Sequence, residues 1–135
     1  MKQWQKIVLS GLVALAATGT QAAPPEQTPS GLIYESLKDG SGEQAKPTDT
    51  VQVNYRGTLA NGTEFDSSYR RGQPASFPLN RVIPCWTEGV AKMREGGKAR
   101  LTCPPAIAYG ARGAGAAVPP NATLTFEVEL LKVMR

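Results

Sequence analysis

Beyond its first 22 residues the chain has only one stretch with apolar residues at helical spacing, and this scarcity constrains the fold more than any other feature. Ile83, Trp86, Val90 and Met93 fall at offsets of three, four and three, a single helical stripe. Pro84 suits the first turn, where its missing N–H costs nothing, and Gly96-Gly97 is expected to stop the helix. The other apolar patterns alternate. Val51, Val53 and Tyr55 oppose Gln52, Asn54 and Arg56; Ala99, Leu101 and Cys103 oppose Lys98, Arg100 and Thr102. Leu124, Phe126, Val128 and Leu130 share one face of a run from Thr123 to Val133, and Leu32 to Leu37 reads as a first strand. Asn61-Gly62 between Leu59 and Glu64-Phe65-Asp66 is a hairpin signal, because both turn positions tolerate positive φ. Several half-buried strands with one short helix predict an α+β fold, an antiparallel sheet wrapped over the helix.

The N-terminus carries a different pattern. Lys2 and Lys6 precede an apolar run from Ile7 to Ala17, and small residues follow to Ala22-Ala23. This is the order of a secretory signal, and the run is shorter than the ~20 apolar residues a spanning helix needs. Cleavage is expected after Ala22, so residues 1–22 are read as a signal peptide, 23–30 as a flexible, proline-rich leader, and 31–135 as the folded domain. Removing 22 of 135 residues leaves 113, enough for one core. The signal takes two of the 15 basic residues with it, leaving an excess of two over the 11 acidic ones. So small and mixed a charge does not suggest nucleic acid, and with the signal removed no membrane association is expected.

The chain has no histidine, hence neither the commonest general base nor the commonest metal ligand. No metal or cofactor is expected. A serine nucleophile would lack its activating base, and GARGAG lacks the Gly-Lys-Ser/Thr ending of a phosphate-binding loop. Cys85 and Cys103 are the only cysteines. They are too far apart for a C-x-x-C redox pair, and an exported chain meets an oxidising compartment. A structural disulfide between the first turn of the helix and the inner face of the sheet is therefore favoured over free buried thiols. Such a staple would contribute roughly 3 kcal/mol in the chain-entropy model.

Aromatic residues stand at the turning points of the pattern: Tyr55, Phe65, Phe77, Trp86, Tyr109 and Phe126, with Asp66 directly after Phe65. Plain core packing explains any one of them, and a turn-capping role would explain Asp66. Together with VNYRGTLANGTEFDSS, VIPCWTEGVAKMREGGKARL, PPAIAYGARG and PPNATLTFEVELL, in that order, they resemble the FKBP-type peptidyl-prolyl cis-trans isomerases from about Gly31 to Val133. The resemblance implies an antiparallel half-barrel around one short helix, with a shallow apolar cleft between them. It implies Trp86 as the floor, Tyr55, Phe77 and Phe126 as walls, and Phe65 and Val82 beside them. It further implies that the Ile83 N–H and the Tyr109 hydroxyl reach substrate carbonyls and that Asp66 sits at the rim. The loop from Gly110 to Val118 would form a flap. Of these, Asp66, Tyr109, Trp86 and Phe126 are the expected catalytic set; Tyr55, Phe65, Phe77, Val82, Ile83 and Val118 are the expected substrate-binding set.

Isomerisation suits such an inventory. Twisting a prolyl amide breaks resonance against a barrier of about 18–20 kcal/mol, and the twisted amide is less dipolar than the planar one. A dry aromatic cleft favours the twisted state relative to the planar one, which is the differential binding that accelerates a reaction. The implied substrates are proline-containing unfolded or nascent exported polypeptides, and macrolide-type inhibitors are further implied ligands. The chain departs from the family pattern at Ala75, a position often aromatic, and at Ala117, where bulkier residues are common. The alternative reading is a chaperone or peptide-binding module using the same cleft with little catalysis. A monomer in the bacterial periplasm is expected, with secretion beyond it the other outcome.

Overall fold

The computed structural model describes residues 24–134; the expected signal segment, 1–22, lies outside the described residues. Strand β1 (Glu26–Gln27) is followed by β2 (Ile33–Lys38), β3 (Thr50–Leu59) and β4 (Glu64–Ser67). A one-turn helix, α1 (Ser68–Arg71), leads to β5 (Ala75–Pro78). Helix α2 (Pro84–Val90), β6 (Lys98–Cys103) and β7 (Leu124–Met134) complete the described elements. The strands form one antiparallel seven-stranded sheet in the order β1-β2-β6-β7-β3, with β4 and β5 both paired to β3. It is not closed into a barrel: β1 and the β4/β5 pair form its two edges. This is the expected α+β half-barrel.

The alternation read from the sequence is the alternation of burial. Val51, Val53 and Tyr55 from β3, Ala99, Leu101 and Cys103 from β6, and Leu124, Phe126, Val128 and Leu130 from β7 are all buried on the inner face. Register places Tyr55 beside Val128 and Gly57 beside Phe126. Helix α2 covers this face. Gly89 allows the close approach, since a Cβ there would lie 2.8 Å from a Leu101 methyl. Cys85 and Cys103 are bonded, with Cα atoms 5.8 Å apart, so the first turn of α2 is tied to the end of β6. On the outer face Arg100 bridges Glu35 and Glu127, 2.9 and 3.1 Å away on the two flanking strands.

In its helices and leader the structure differs from the sequence reading in three places. The helix ends at Val90, short of Gly96-Gly97. Lys92 and Met93 donate to the Gly89 and Val90 carbonyls in tight turns. The chain then exchanges backbone bonds with the loop before β3, where Ala45 donates to Met93 and Glu95 to Glu43. Met93 is still buried, but through a turn. Secondly, α2 is not the only helix: α1 stands where a polar loop was expected, capped by the Ser67 side chain and ended by a left-handed Gly72 (φ 80°). Thirdly, the expected flexible leader contains β1, whose Glu26 and Gln27 pair with Tyr34 and Ile33. The Thr28 N–H closes this turn on the Leu32 carbonyl.

Candidate functional site

The concave face of the sheet and the start of α2 enclose a cleft of about 460 Å³, within the range of small-molecule and peptide side-chain sites. It is lined by Tyr55, Phe65, Asp66, Phe77, Arg81, Val82, Ile83, Trp86, Tyr109 and Phe126. Trp86 stands at its centre in the first turn of α2. Its indole meets Tyr55, Phe77 and Phe126 nearly edge-on, with centroids 5.2, 5.4 and 5.4 Å away and interplanar angles of 85–88°. Phe65 meets Phe126 in the same way at 5.6 Å. Such edge-to-face pairs are each worth about 0.5–1.5 kcal/mol beyond burial, so the floor is held in one arrangement. The indole N–H is buried with no hydrogen-bond acceptor among the described residues.

Apart from that indole N–H, the side-chain polar groups lining the cleft are Asp66, Arg81 and the hydroxyls of Tyr55 and Tyr109. The Tyr55 hydroxyl donates to Asp66 Oδ2 at 2.6 Å, Arg71 donates to Oδ1 at 2.5 Å, and the Ser67 N–H donates to Oδ1 at 2.9 Å. Arg71 also donates to the Tyr55 hydroxyl at 2.9 Å and lies over the Tyr55 ring, 5.7 Å from its centroid. Partial burial works against ionisation of Asp66, but these hydrogen bonds and the guanidinium charge outweigh it, and its pKa falls below the usual carboxylate value. Burial and the bond to Asp66 push the Tyr55 phenol upward. The triad is therefore a carboxylate, a neutral phenol and a guanidinium at neutral pH.

Helix α1 makes this possible. Its single turn brings Arg71 back over Asp66, and its buried Ser68 accepts the Tyr55 backbone N–H at 2.9 Å. At the opposite lip, Ile83 is the N-cap of α2, where the N–H has no intrahelical acceptor. Tyr109 follows a 3₁₀ turn at Pro105–Ile107 and is 41% exposed over the cleft. A second cleft, about 320 Å³ between β2 and the turns after α2, is lined by Tyr34, Lys38, Asp39, Lys92 and Arg94 among others. It is polar and contains none of the expected site residues.

The model of the FKBP-type peptidyl-prolyl cis-trans isomerases matches residues 41–131, most of the described chain. The chain belongs to this family. FkpA of Escherichia coli strain K12, an FKBP-type peptidyl-prolyl cis-trans isomerase by name, is 54% identical over 103 residues, or 76% of this chain and 38% of FkpA. The crystal structure of E. coli FkpA superposes with a TM-score of 0.78 at 51% identity, covering 81% of this chain and 51% of that one. A peptidyl-prolyl cis-trans isomerase from Pseudomonas syringae pv. tomato superposes at 0.77 with 37% identity, covering 87% and 86%. The chain thus spans well under two thirds of the FkpA sequence it resembles.

Set on this FKBP scaffold, nine of the ten expected catalytic and binding residues line one cleft. Val118 does not. It is buried at the end of the loop from Gly110, exchanging backbone bonds with Ala114 (2.8 and 3.2 Å) in a small closed loop. Two residues of the site were missed by the sequence reading: Arg81, which lines the cleft, and Arg71, which holds Asp66 and the Tyr55 hydroxyl at its rim. Arg71 had a legible signal in the Ser67…Gly72 cap pair that marks one helical turn, but so short a helix has no periodicity. Arg81 gave no signal, because its place at the cleft depends on the 3₁₀ turn Leu79–Arg81.

Proposed function

We propose that this chain catalyses cis-trans isomerisation of prolyl bonds in unfolded or nascent exported polypeptides. The observation that carries the proposal is the aromatic box around Trp86, open to solvent at one side and rimmed by a carboxylate whose charge is already matched. The proline ring fits the apolar floor. The Ile83 N–H and the Tyr109 hydroxyl hold the flanking carbonyls, while the amide twists in surroundings that favour its less dipolar state. Asp66 acts at the rim through its field, and no proton needs to leave the substrate. Such catalysis removes part of a barrier that otherwise makes prolyl isomerisation take tens of seconds or more.

The signal pattern of residues 1–22 and the Cys85–Cys103 disulfide support export to an oxidising compartment, the bacterial periplasm, where the chain acts as a monomer. Among the described residues no helix is long and apolar enough to cross a membrane. Macrolide-type inhibitors are proposed to enter the same cleft, with small side chains at Ala75 and Ala117 reducing their contacts.

The test is turnover of a short proline peptide by the chain beginning at Ala23, beside folded Asp66→Ala and Trp86→Ala variants. Acceleration that falls about tenfold or more, ~1.4 kcal/mol of barrier, in both variants supports the assignment. A folded wild type without acceleration would leave the cleft as a binding site and favour the chaperone reading.

A further inference from the structure

Arg81 stands at the mouth of the cleft beside Val82 and Ile83. Among the described residues it has no ion pair or side-chain hydrogen bond, whereas the one carboxylate lining the cleft, Asp66, is taken up by Arg71, Tyr55 and the Ser67 N–H. The mouth therefore presents an uncompensated positive charge. Its backbone is firmly placed. Leu79, in the same 3₁₀ turn, is fully buried, its N–H donates to the Asp49 carbonyl at 2.9 Å, and its carbonyl accepts the Thr87 hydroxyl at 2.5 Å. The side chain itself is exposed and able to meet whatever emerges from the cleft.

We propose that Arg81 is a specificity-determining residue that favours substrates with an acidic side chain adjacent to the proline over those with a basic one. The inference rests on the isomerase reading. With the proline ring on the Trp86 floor, the neighbouring side chains leave through the mouth, where apolar walls limit screening of the guanidinium. Arginine is suited to the role because its planar fork can pair both oxygens of a carboxylate. Because the group is exposed, the discrimination is modest, roughly two- to fivefold in kcat/KM for one charge, and it shrinks as salt screens it.

The experiment compares Leu, Glu and Lys peptides, differing either at the residue before proline or at the one after. Each is assayed with wild type, Arg81→Gln and Arg81→Glu at low and high salt. At one or both positions the wild type is expected to turn over the Glu peptide faster than the Lys peptide. The ratio moves toward unity in Arg81→Gln and inverts in Arg81→Glu, and high salt flattens all three. Turnover of the Leu peptide with a Glu-to-Lys ratio that neither substitution moves at either position would overturn this inference alone. Failure of the wild type to turn over even the Leu peptide would overturn the isomerase reading, and this inference with it.

Discussion

Asp66 is a rim carboxylate whose three donors, Tyr55, Arg71 and the Ser67 N–H, overcome the opposing effect of burial and lower its pKa. Because its folded pKa lies below the unfolded one, its contribution to stability is present above the usual carboxylate range of about 4. That contribution is lost as pH falls through the lowered value. Tyr55 shifts the other way and stays protonated beyond the ordinary phenol range. With no histidine in the chain, no side chain of ordinary pKa titrates between about pH 5 and 8. We therefore expect kcat/KM on an uncharged peptide to be flat from about pH 5 to 9, as a stopped pH series would read; an inflection near pH 6.5 would contradict the triad described. At this scale Asp66 and the aromatic residues stood out in the sequence, but core packing and a turn cap explained them equally well, and their roles at a site came from the family resemblance. Arg71 could not be placed, because the Ser67…Gly72 cap pair marks a turn without showing which side chain it returns to Asp66.

Among the elements, β3 is the strand to which β4, β5 and β7 all pair, and its Gly57 leaves no room for a side chain. A Cβ there would lie 2.7 Å from the Phe65 ring and 2.9 Å from the Phe126 ring, the pair that packs edge-to-face beside Trp86. Gly57→Ala is expected to destabilise the fold by about 1–3 kcal/mol through overpacking, read as a lower denaturant midpoint, and to lower turnover by displacing both rings. The adjoining hairpin was legible from Asn61-Gly62, yet its geometry differs from the one expected. Only Gly62 takes positive φ (89°). The Gly62 N–H closes a turn on the Leu59 carbonyl, the Asn61 side chain accepts the Thr63 N–H, and the register shifts at Gly57/Thr58. Strand alternation is local chemistry; the shift that aims Phe65 at Phe126 is not.

For the molecule as a whole, the covalent tie between α2 and β6 matters most. The Cys85–Cys103 bond fixes the turn carrying Trp86 against a strand whose inner face lines the core. The double variant Cys85→Ala/Cys103→Ala is expected to lose about 3 kcal/mol of stability, the loop-closure value for a loop of this size. Equilibrium urea unfolding checks it, and a loss below about 0.5 kcal/mol would show that packing alone seats the helix.

Period and composition determined the class of fold: one helical stripe among two-residue alternations leaves little but a sheet over a short helix, and the absence of histidine directs attention to a binding cleft. The cysteine pairing, too, followed from export and from the faces on which the two residues fall. Tertiary structure alone decided where the helix stops, because the backbone after Val90 finds better partners in the loop around Ala45 than in another helical turn. It also decided that Val118 is buried in a closed loop with Ala114 while Arg71 and Arg81 come to the rim. Those placements depend on single turns and on contacts distant in sequence, whose energies have no period for a sequence to display.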